Sequence, residues 1–399
     1  MLQSQLFTKT KKEAPKDEVS KNAKLLIRGG FISKEMAGIY SYLPLGFKVI
    51  NKVINIIREE INAIGGQEIF MGSLQDSSVW QLSGRWDDSV NDVWFKSKLN
   101  SGGEVGFANT HEEPITKMLK SHIQSYKDLP VFVYQFQNKF RNELRAKSGI
   151  IRTREFIMKD LYSFSATEKE LDEYYELVKN AYIKIFQRLG MGDKTYFTFA
   201  SGGMFSQFSH EFQTICDAGE DVIYISDKKN IAINKEVYND ETLKMLGLKK
   251  EELRQEKSVE VGNIFKLKNK YSNPLGLTYT DSEGGVNDVI MGSYGIGPGR
   301  SMGTIVELFG TDNKINWPAN VAPFDVHLIG LNLDDSEVAQ SAKNEYERLI
   351  AEGKDVLFDD RVDARVGQKF ADADLIGCPI KLVVSKKTVQ SGKVEILES

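Results

Sequence analysis

Residues 131–141, VFVYQFQNKFR, alternate Phe132, Tyr134, Phe136 and Phe140 with Val131, Val133, Gln135, Gln137, Lys139 and Arg141. Side chains on a strand point to opposite faces in turn, so this stretch has an apolar even face and an odd face that turns polar towards its end. A charged loop containing Gly149 follows, and a second extended run reads from about Ile151 to Phe164. The spacing predicts a long-looped antiparallel hairpin.

Helices flank that hairpin. Residues 45–64 carry Val49, Ile50, Val53, Ile57, Ile61 and Ile64 at helical spacing, and Gly65-Gly66 stops them before a short strand, QEIFM. The apolar face of this helix must pack on something. Thr167 opens a second helix, where Thr-x-x-Glu to Glu170 is a capping box. Its stripe runs through Leu171, Tyr174, Tyr175, Val178, Tyr182, Ile185, Phe186 and Leu189 to Gly190. Residues 228–257 are charge-rich with little apolar periodicity and read as a surface excursion. Extended runs resume near VEVGNIFKL and VNDVIMGSY. Past Trp317-Pro318, strand FDVHLIGLN, a helix from Asp334 to Ala351, strand KDVLFDD, a helix from Val366 to Ile376 and strand IKLVVS alternate over residues 323–399, the pattern of a small α/β domain.

With 399 residues, 41% hydrophobic and 27% charged, the chain suffices for two or three domains with cores of their own. Cys216 and Cys378 lie far apart without C-x-x-C spacing, and the histidines His111, His122, His210 and His327 are scattered. Neither a disulfide framework nor a structural zinc site is readable. No apolar run approaches the roughly 20 residues of a membrane helix, and the first residues lack an apolar signal region, so a cytoplasmic location without membrane attachment is expected. A net charge of −4 and a pI near 5.8 mean that any polyanion must meet a local basic patch. Residues 139–164 supply one, with Lys139, Arg141, Arg145, Lys147, Arg152, Arg154 and Lys159 against Glu143, Glu155 and Asp160.

Parity sorts that patch. Arg152, Phe156 and Asp160 are all even on the second run, and Arg141 and Glu143 are both odd on the first. Facing the same side, they present two arginines, two carboxylates and an aromatic ring. A ring stacks a base, a carboxylate accepts from an exocyclic amine, and a guanidinium fork holds phosphate oxygens, so the set suits a nucleoside triphosphate lying on an antiparallel sheet. A solvated hairpin with cross-strand ion pairs is the alternative. Further on, VNDVIMGSYGIGPGR leads from a strand through Gly295, Gly297 and Gly299 to Arg300, and Met302, Ile305, Val306 and Phe309 then have helical spacing. A helix N-terminus bearing arginine can bind phosphate. Rossmann and P-loop spacings are both absent.

These segments resemble the class II aminoacyl-tRNA synthetases. The second motif of that class, F-R-x-E, a loop, then [R/H]-x-x-x-F-x-x-x-D, is matched by Phe140, Arg141, Glu143, Arg152, Phe156 and Asp160. GSYGIGPGR resembles the third motif, with Gly299 where an acidic residue often stands. YSYLPLGFKVINKVINIIREEI, with Pro44, resembles the first. Within the class, SQLFTKTKKEAP, GRW, FANTHEEPIT, SHEFQ, INWPANVAPF and DDRVDARVGQKFADADLIGCP resemble prolyl-tRNA synthetases of the bacterial type, in order and over nearly the whole chain.

The resemblance implies an α/β fold overall: an α+β catalytic domain over 1–320, with an antiparallel β-sheet flanked by helices, then an anticodon-binding domain over 323–399. It also implies a homodimer, and as ligands ATP with Mg²⁺, L-proline and tRNA(Pro). Arg141 would contact the α-phosphate and the substrate carboxylate, Glu143 would read the adenine and Phe156 would stack on it. Arg152 and Arg300 would grip the outer phosphates. Thr110, Glu112, Asp160, His210 and Ser293 would form the proline pocket, and Arg145 and Lys147 would meet the tRNA acceptor end. Arg361, Arg365, Lys369, Lys386 and Lys387 are candidates for RNA contact in the last domain.

Departures from the family pattern carry expectations of their own. Phe205 and Phe208 replace small residues usual ahead of His210, and Ser293 stands where many relatives have cysteine. Bacterial-type members often insert an editing domain between the second and third motifs; residues 228–257 in its place are too short for a core, so editing in cis is not expected. The N-terminus resembles the family's ordinary start, which implies no organellar presequence. A catalytically silent paralogue serving as a binding or regulatory subunit is the competing reading, against which Arg141, Arg152 and Arg300 are all present. An enzyme loading a carrier other than tRNA is another, and the C-terminal domain argues against it.

Overall fold

The computed structural model describes residues 1–144, 146, 148–202 and 208–398. The chain divides into two compact units, Ile54–Lys147 with Ile151–Ser301, and Met1–Val53 with Ser148–Ile150 and Met302–Ser399. Among the described residues of the first, nine strands form one sheet. In chain order they are β1 (Gln67–Glu68), β2 (Val131–Phe140), β3 (Glu155–Ser165), β4 (Thr195–Ser201), β5 (Phe208–Ile215), β6 (Asp221–Ser226), β7 (Ile231–Asn234), β8 (Arg254–Lys268) and β9 (Ile290–Ile296). Across the sheet they run β5-β4-β7-β6-β8-β9-β3-β2-β1, and β5 also pairs with β8. The pairings are antiparallel apart from β1 with β2 and β7 with β4.

The expected hairpin is β2 and β3, in register from Val131 opposite Phe164 to Phe140 opposite Glu155. Its strands are shorter than the sequence pattern suggests at the loop end. Arg141, Glu143 and Arg152 lie beyond them, so parity does not set their direction. The polar odd face of β2 is also the better buried one: Gln135, Gln137 and Lys139 are buried, while Phe136 and Phe140 are half-buried. Strands inside a wide sheet have both faces covered, so a polar face there lines an interior and not a solvated surface.

Six helices matter for the site and its support: α1 (Pro44–Ala63), α2 (Glu112–Leu119), α3 (Glu168–Arg188), α4 (Pro298–Phe309), α5 (Ser336–Ala351) and α6 (Val366–Ile376). The capping box of α3 forms as expected: Glu170 N–H donates to Thr167 Oγ1, and Thr167 N–H donates to the Glu170 carboxylate. This helix covers one face of the sheet through Leu171, Tyr174, Tyr175, Val178, Tyr182, Ile185 and Phe186, all buried. Each such side chain contributes about 1.5–3 kcal/mol on leaving water. Tyr174 stacks flat on Phe132 of β2, with ring centroids 3.6 Å apart. The other face carries a cluster that includes Trp80, Trp94, Ile115, Leu119, Phe164 and Met291.

Residues 228–257 are not a mere surface excursion. Strand β7 and the start of β8 come from this stretch and belong to the sheet, with a helix at Asp240–Leu246 between them. Ile233, Val237, Leu243 and Leu248 make a core cluster there. Those residues sit on three short elements and the loop after them, so no single period runs through them.

In the second unit, strands β10 (Val326–Gly330), β11 (Val356–Asp359), β12 (Ile380–Val384) and β13 (Glu395–Glu398) are ordered β11-β10-β12-β13 among the described residues. All pairs are parallel apart from β12 with β13. Helix α5 buries Val338, Ala342 and Leu349 against them. A helix at Lys386–Ser391 and β13 extend the alternating pattern read from the sequence. The first residues of the chain join this sheet: Leu2 bridges to Phe358, Ser4 bonds Asp360, and Gln3 Oε1 lies 2.8 Å from His327 Nε2. Among the described residues no helix is long and apolar enough to cross a membrane.

Helix α1 opens with proline at its first position, where the missing N–H costs nothing. Its third residue, Gly46, runs against Phe31, and a Cβ there would stand 2.0 Å from the Phe31 carbonyl oxygen. The Gly46→Ala variant is therefore expected to lose about 2 kcal/mol or more of stability, read as a lower urea midpoint at unchanged slope.

Candidate active site

Residues directly opposite each other in antiparallel strands point to the same side of the sheet. Tyr162 on β3 faces Ser293 on β9, and Gln135 on β2 faces Asp160 on β3. Thr110 and the first residue of α2, Glu112, meet them on that side. Ser293 Oγ lies 3.3 Å and Tyr162 Oη 3.5 Å from Glu112 Oε1, and Thr110 donates to Glu112 Oε2 at 2.5 Å. Four expected pocket residues, Thr110, Glu112, Asp160 and Ser293, thus come together.

Two ion pairs that the sequence reading passed over hold this group. Arg85 Nη1 lies 3.5 Å from Glu112 Oε2, donates to both oxygens of Glu113 at 3.1 and 3.2 Å, and to Tyr271 Oη at 2.8 Å. Burial pushes the Glu113 carboxyl up to about 7, against the pull of Arg85. Across the pocket, Lys139 donates to Asp160 Oδ1 at 2.7 Å, while Gln135 and Tyr162 donate to Oδ2 at 2.9 and 3.1 Å. Lys139 and Asp160 are both buried. Burial works to raise the Asp160 pKa, but the Lys139 charge and the hydrogen bonds from Gln135 and Lys139 outweigh it and hold the carboxyl below its usual range. Burial and the Lys139 charge push His111 down to about 4, so its ring is neutral. His111 Nε2 lies 3.2 Å from the Gly72 carbonyl and therefore carries the hydrogen.

His210 is not brought to this pocket. It lies opposite Ile264 on β8, which lies opposite Tyr294 on β9, and Tyr294 meets the rings of Tyr174 and Tyr175 on α3. His210 is therefore on the α3 side. Its Nδ1 is 2.7 Å from Tyr175 Oη and its ring stacks on Phe197 at 4.3 Å. Its neighbour Glu211 takes the pocket side instead, opposite Asn263.

Beyond the strand ends lies a cationic region. The Arg141 guanidinium rests over the Phe156 ring at 5.3 Å and reaches the Asn109 carbonyl at 3.4 Å. Desolvation lowers its pKa, and the positive charge of Arg300 lowers it further. Arg300, at the third position of α4, donates to the carbonyls of Ile151 and Glu260 at 3.0 and 2.8 Å. Two guanidinium groups this close favour an anion between them. Arg152 stands between Glu143 and Glu220, each 2.8 Å away, so it must exchange carboxylates for any phosphate it binds. Arg154 donates to the Glu143 carbonyl at 3.1 Å and steadies the same loop. Arg145, Lys147 and Phe205 lie outside the described residues.

Burial and the charge of Glu260 push the Glu211 carboxyl up to about 8. A divalent cation would relieve that repulsion. Among the described residues no group of three or more His, Cys, Asp or Glu suits a metal ion, so further ligands must arrive with it. Mg²⁺ carried on phosphate oxygens fits this donor set. In the second unit, Arg361 is held by Asp359 and Asp372 at 2.6 and 2.9 Å, and Lys369 is buried on the Gly330 carbonyl at 2.6 Å. Arg365 and Lys387 are exposed.

Residues 94–309 match the tRNA synthetase class II core domain (G, H, P, S and T), and residues 325–398 match the anticodon binding domain. The proline–tRNA ligase of Agrobacterium fabrum is 37% identical over 418 positions, covering 98% of this chain and 94% of that protein. That of Bacillus cytotoxicus is 31% identical over 545 positions, covering 99% and 96%. The second alignment is at least 146 positions longer than the 399 residues of this chain. In fold, the prolyl-tRNA synthetase of Cryptosporidium parvum complexed with halofuginone and AMPPNP gives a TM-score of 0.79 at 15% identity, covering 94% of this chain and 72% of that one. The Giardia lamblia prolyl-tRNA synthetase in complex with prolyl-adenylate gives 0.77 at 16%, covering 94% and 71%. With the class II core domain matched over residues 94–309 and relatives aligned from end to end, the chain belongs to the proline–tRNA ligase family of class II tRNA synthetases.

Proposed function

We propose that this chain activates L-proline with ATP and transfers the prolyl group to tRNA(Pro). The observation that carries this reading is a pocket with two charged ends, Glu112 with its hydroxyl neighbours at one and Arg141 with Arg300 at the other, within electrostatic reach of each other. A zwitterion fits that arrangement, with its ammonium on Glu112 and its carboxylate towards Arg141. A carboxylate oxygen attacks the α-phosphorus of ATP, the bond to the pyrophosphate oxygen breaks, and prolyl-adenylate forms. A terminal ribose hydroxyl of the tRNA then attacks the acyl carbon and releases AMP.

The protein supplies positioning and charge, and no covalent nucleophile is needed. Arg141, Arg300 and, after leaving its carboxylates, Arg152 neutralise phosphate oxygens, and Phe156 and Glu143 flank the base. Glu211 and Glu260 would hold Mg²⁺, which neutralises charge on the phosphates. Asp160 has both oxygens engaged within the protein, so it orders the pocket and leaves the ammonium to Glu112, which Thr110 and Ser293 hold in place. We assign residues 1–320 to catalysis and 323–399 to anticodon binding, in a cytoplasmic homodimer. We further infer no editing in cis, a reading supported by the short elements of 228–257 and by the longer Bacillus alignment.

Pyrophosphate exchange into ATP across the twenty amino acids is expected with proline alone. Exchange with a different amino acid overturns the substrate assignment, and none at all favours the silent paralogue. Arg300→Ala is expected to lower proline-dependent exchange about 100-fold or more. Alanyl-tRNA(Pro) incubated with the enzyme is expected to decay at its spontaneous rate; rapid deacylation would sink the inference on editing.

A further inference from the structure

The Tyr162 hydroxyl has a single proton and two carboxylate oxygens within reach, Asp160 Oδ2 at 3.1 Å and Glu112 Oε1 at 3.5 Å. It cannot serve both. Asp160 is the nearer acceptor, is fully enclosed, and is fixed from its other side by Lys139 at 2.7 Å and by Gln135 at 2.9 Å. One lone pair of the phenol oxygen faces the backbone N–H of His111 at 3.3 Å. The Thr110 hydroxyl also comes within hydrogen-bonding reach of the phenol oxygen, but its one proton goes to Glu112 Oε2 at 2.5 Å, so no proton lies between the phenol and Glu112 Oε1.

The two oxygens of Glu112 differ in the same way. Oε2 accepts from Thr110 and lies 3.5 Å from Arg85, whereas Oε1 has only the long approach of Ser293 besides Tyr162. Two acceptors, Glu112 Oε1 and Tyr162 Oη, therefore stand side by side at 3.5 Å, a repulsive contact until a donor enters between them.

We propose that the Lys139–Asp160 pair is a positioning device for the substrate's ammonium: it draws the Tyr162 proton to Asp160, so that the phenol oxygen and Glu112 Oε1 together accept both N–H donors of a secondary ammonium. Tyr162 is then a specificity-determining contact, and Lys139 and Asp160 act through it. The inference rests on the reading of Glu112 as the seat of the substrate's ammonium. It reaches beyond that reading because it assigns a substrate contact to a side chain on the strand below and gives the buried pair a role in selection. A secondary ammonium has two N–H groups and a primary one three, so a pocket built around two facing acceptors favours the former when water is excluded.

Kinetics of proline-dependent exchange on full-length variants test this. Tyr162→Phe keeps the ring and its packing, and is expected to raise the KM for proline about tenfold or more with kcat and the KM for ATP within about threefold. Asp160→Asn places an amide donor towards the phenol oxygen and turns the Tyr162 proton to Glu112 Oε1, so its KM for proline rises at least as far. In the double variant the rises are expected not to multiply, since both act through one hydroxyl. An unchanged proline KM in Tyr162→Phe, or fully multiplicative losses in the double variant, overturns the proposal. If Asp160→Asn fails to fold, as judged by its thermal midpoint, Tyr162→Phe decides alone. Wild-type enzyme without proline-dependent exchange removes the functional reading itself, and the proposal with it.

Discussion

A lysine and an aspartate, both out of reach of solvent, meet across two neighbouring strands of the sheet, β2 and β3. Lys139 reaches Asp160 at 2.7 Å from a position opposite Phe156, and Gln135, directly opposite Asp160, completes the shell. Taking both charges from water costs several kcal/mol each, and a pair of apolar residues would be as stable. The pair's effect is on arrangement. A slip of one residue in this hairpin would send Asp160 to the α3 side, among the rings of Tyr174 and Tyr182, with no cation to meet it. Lys159, one position before Asp160, already points there, where Tyr182 and the Tyr294 carbonyl accept from it. Burial alone holds its pKa far below the usual lysine value. Two adjacent positions thus carry opposite chemistries because the sheet has two different faces.

On the pocket side the protein lets like charges crowd: two arginines near one another, and two glutamates near one another. Burial and the Arg300 charge depress the protonation of Arg141, and burial with the Glu260 charge lifts the Glu211 carboxyl nearby. Such crowding costs stability in the empty protein and is relieved by a ligand carrying the complementary charge. Arg152 shows a milder form of the same strategy, parked on Glu143 and Glu220 until a better anion comes.

Much of this was legible in the sequence where the signal is local. The capping box at Thr167 and the alternation of 131–140 each lie within a few residues, and both formed as read. The arginine motif was legible as a pattern, but parity was the wrong tool for Arg141, Glu143 and Arg152, because the strands end before them. Lys139, Gln135 and Gln137 were missed because a polar face reads as solvated unless the strand is known to be interior. Arg85 and Glu113 were missed because their pairing spans 28 residues with no period to announce it. His210 and Glu211 differ by one step on a strand, and which of them enters the pocket depends on a pairing with β8 that carries a bulge at Phe212/Gln213. No single sequence specifies that register.

The second unit is assembled from the two ends of the chain. Met1–Val53 packs with Met302–Ser399, and everything from Ile54 to Ser301, apart from Ser148–Ile150, belongs elsewhere. During synthesis Leu25, Leu26, Ile27 and Phe31 are therefore made long before the later part of their unit, with Trp317 against the Phe31 ring, exists. The larger unit can complete its sheet in that interval, since its residues are nearly contiguous. This early segment thus finds its place only after residues 302 onward are made, and until then it is an exposed apolar surface that a chaperone would have to shield.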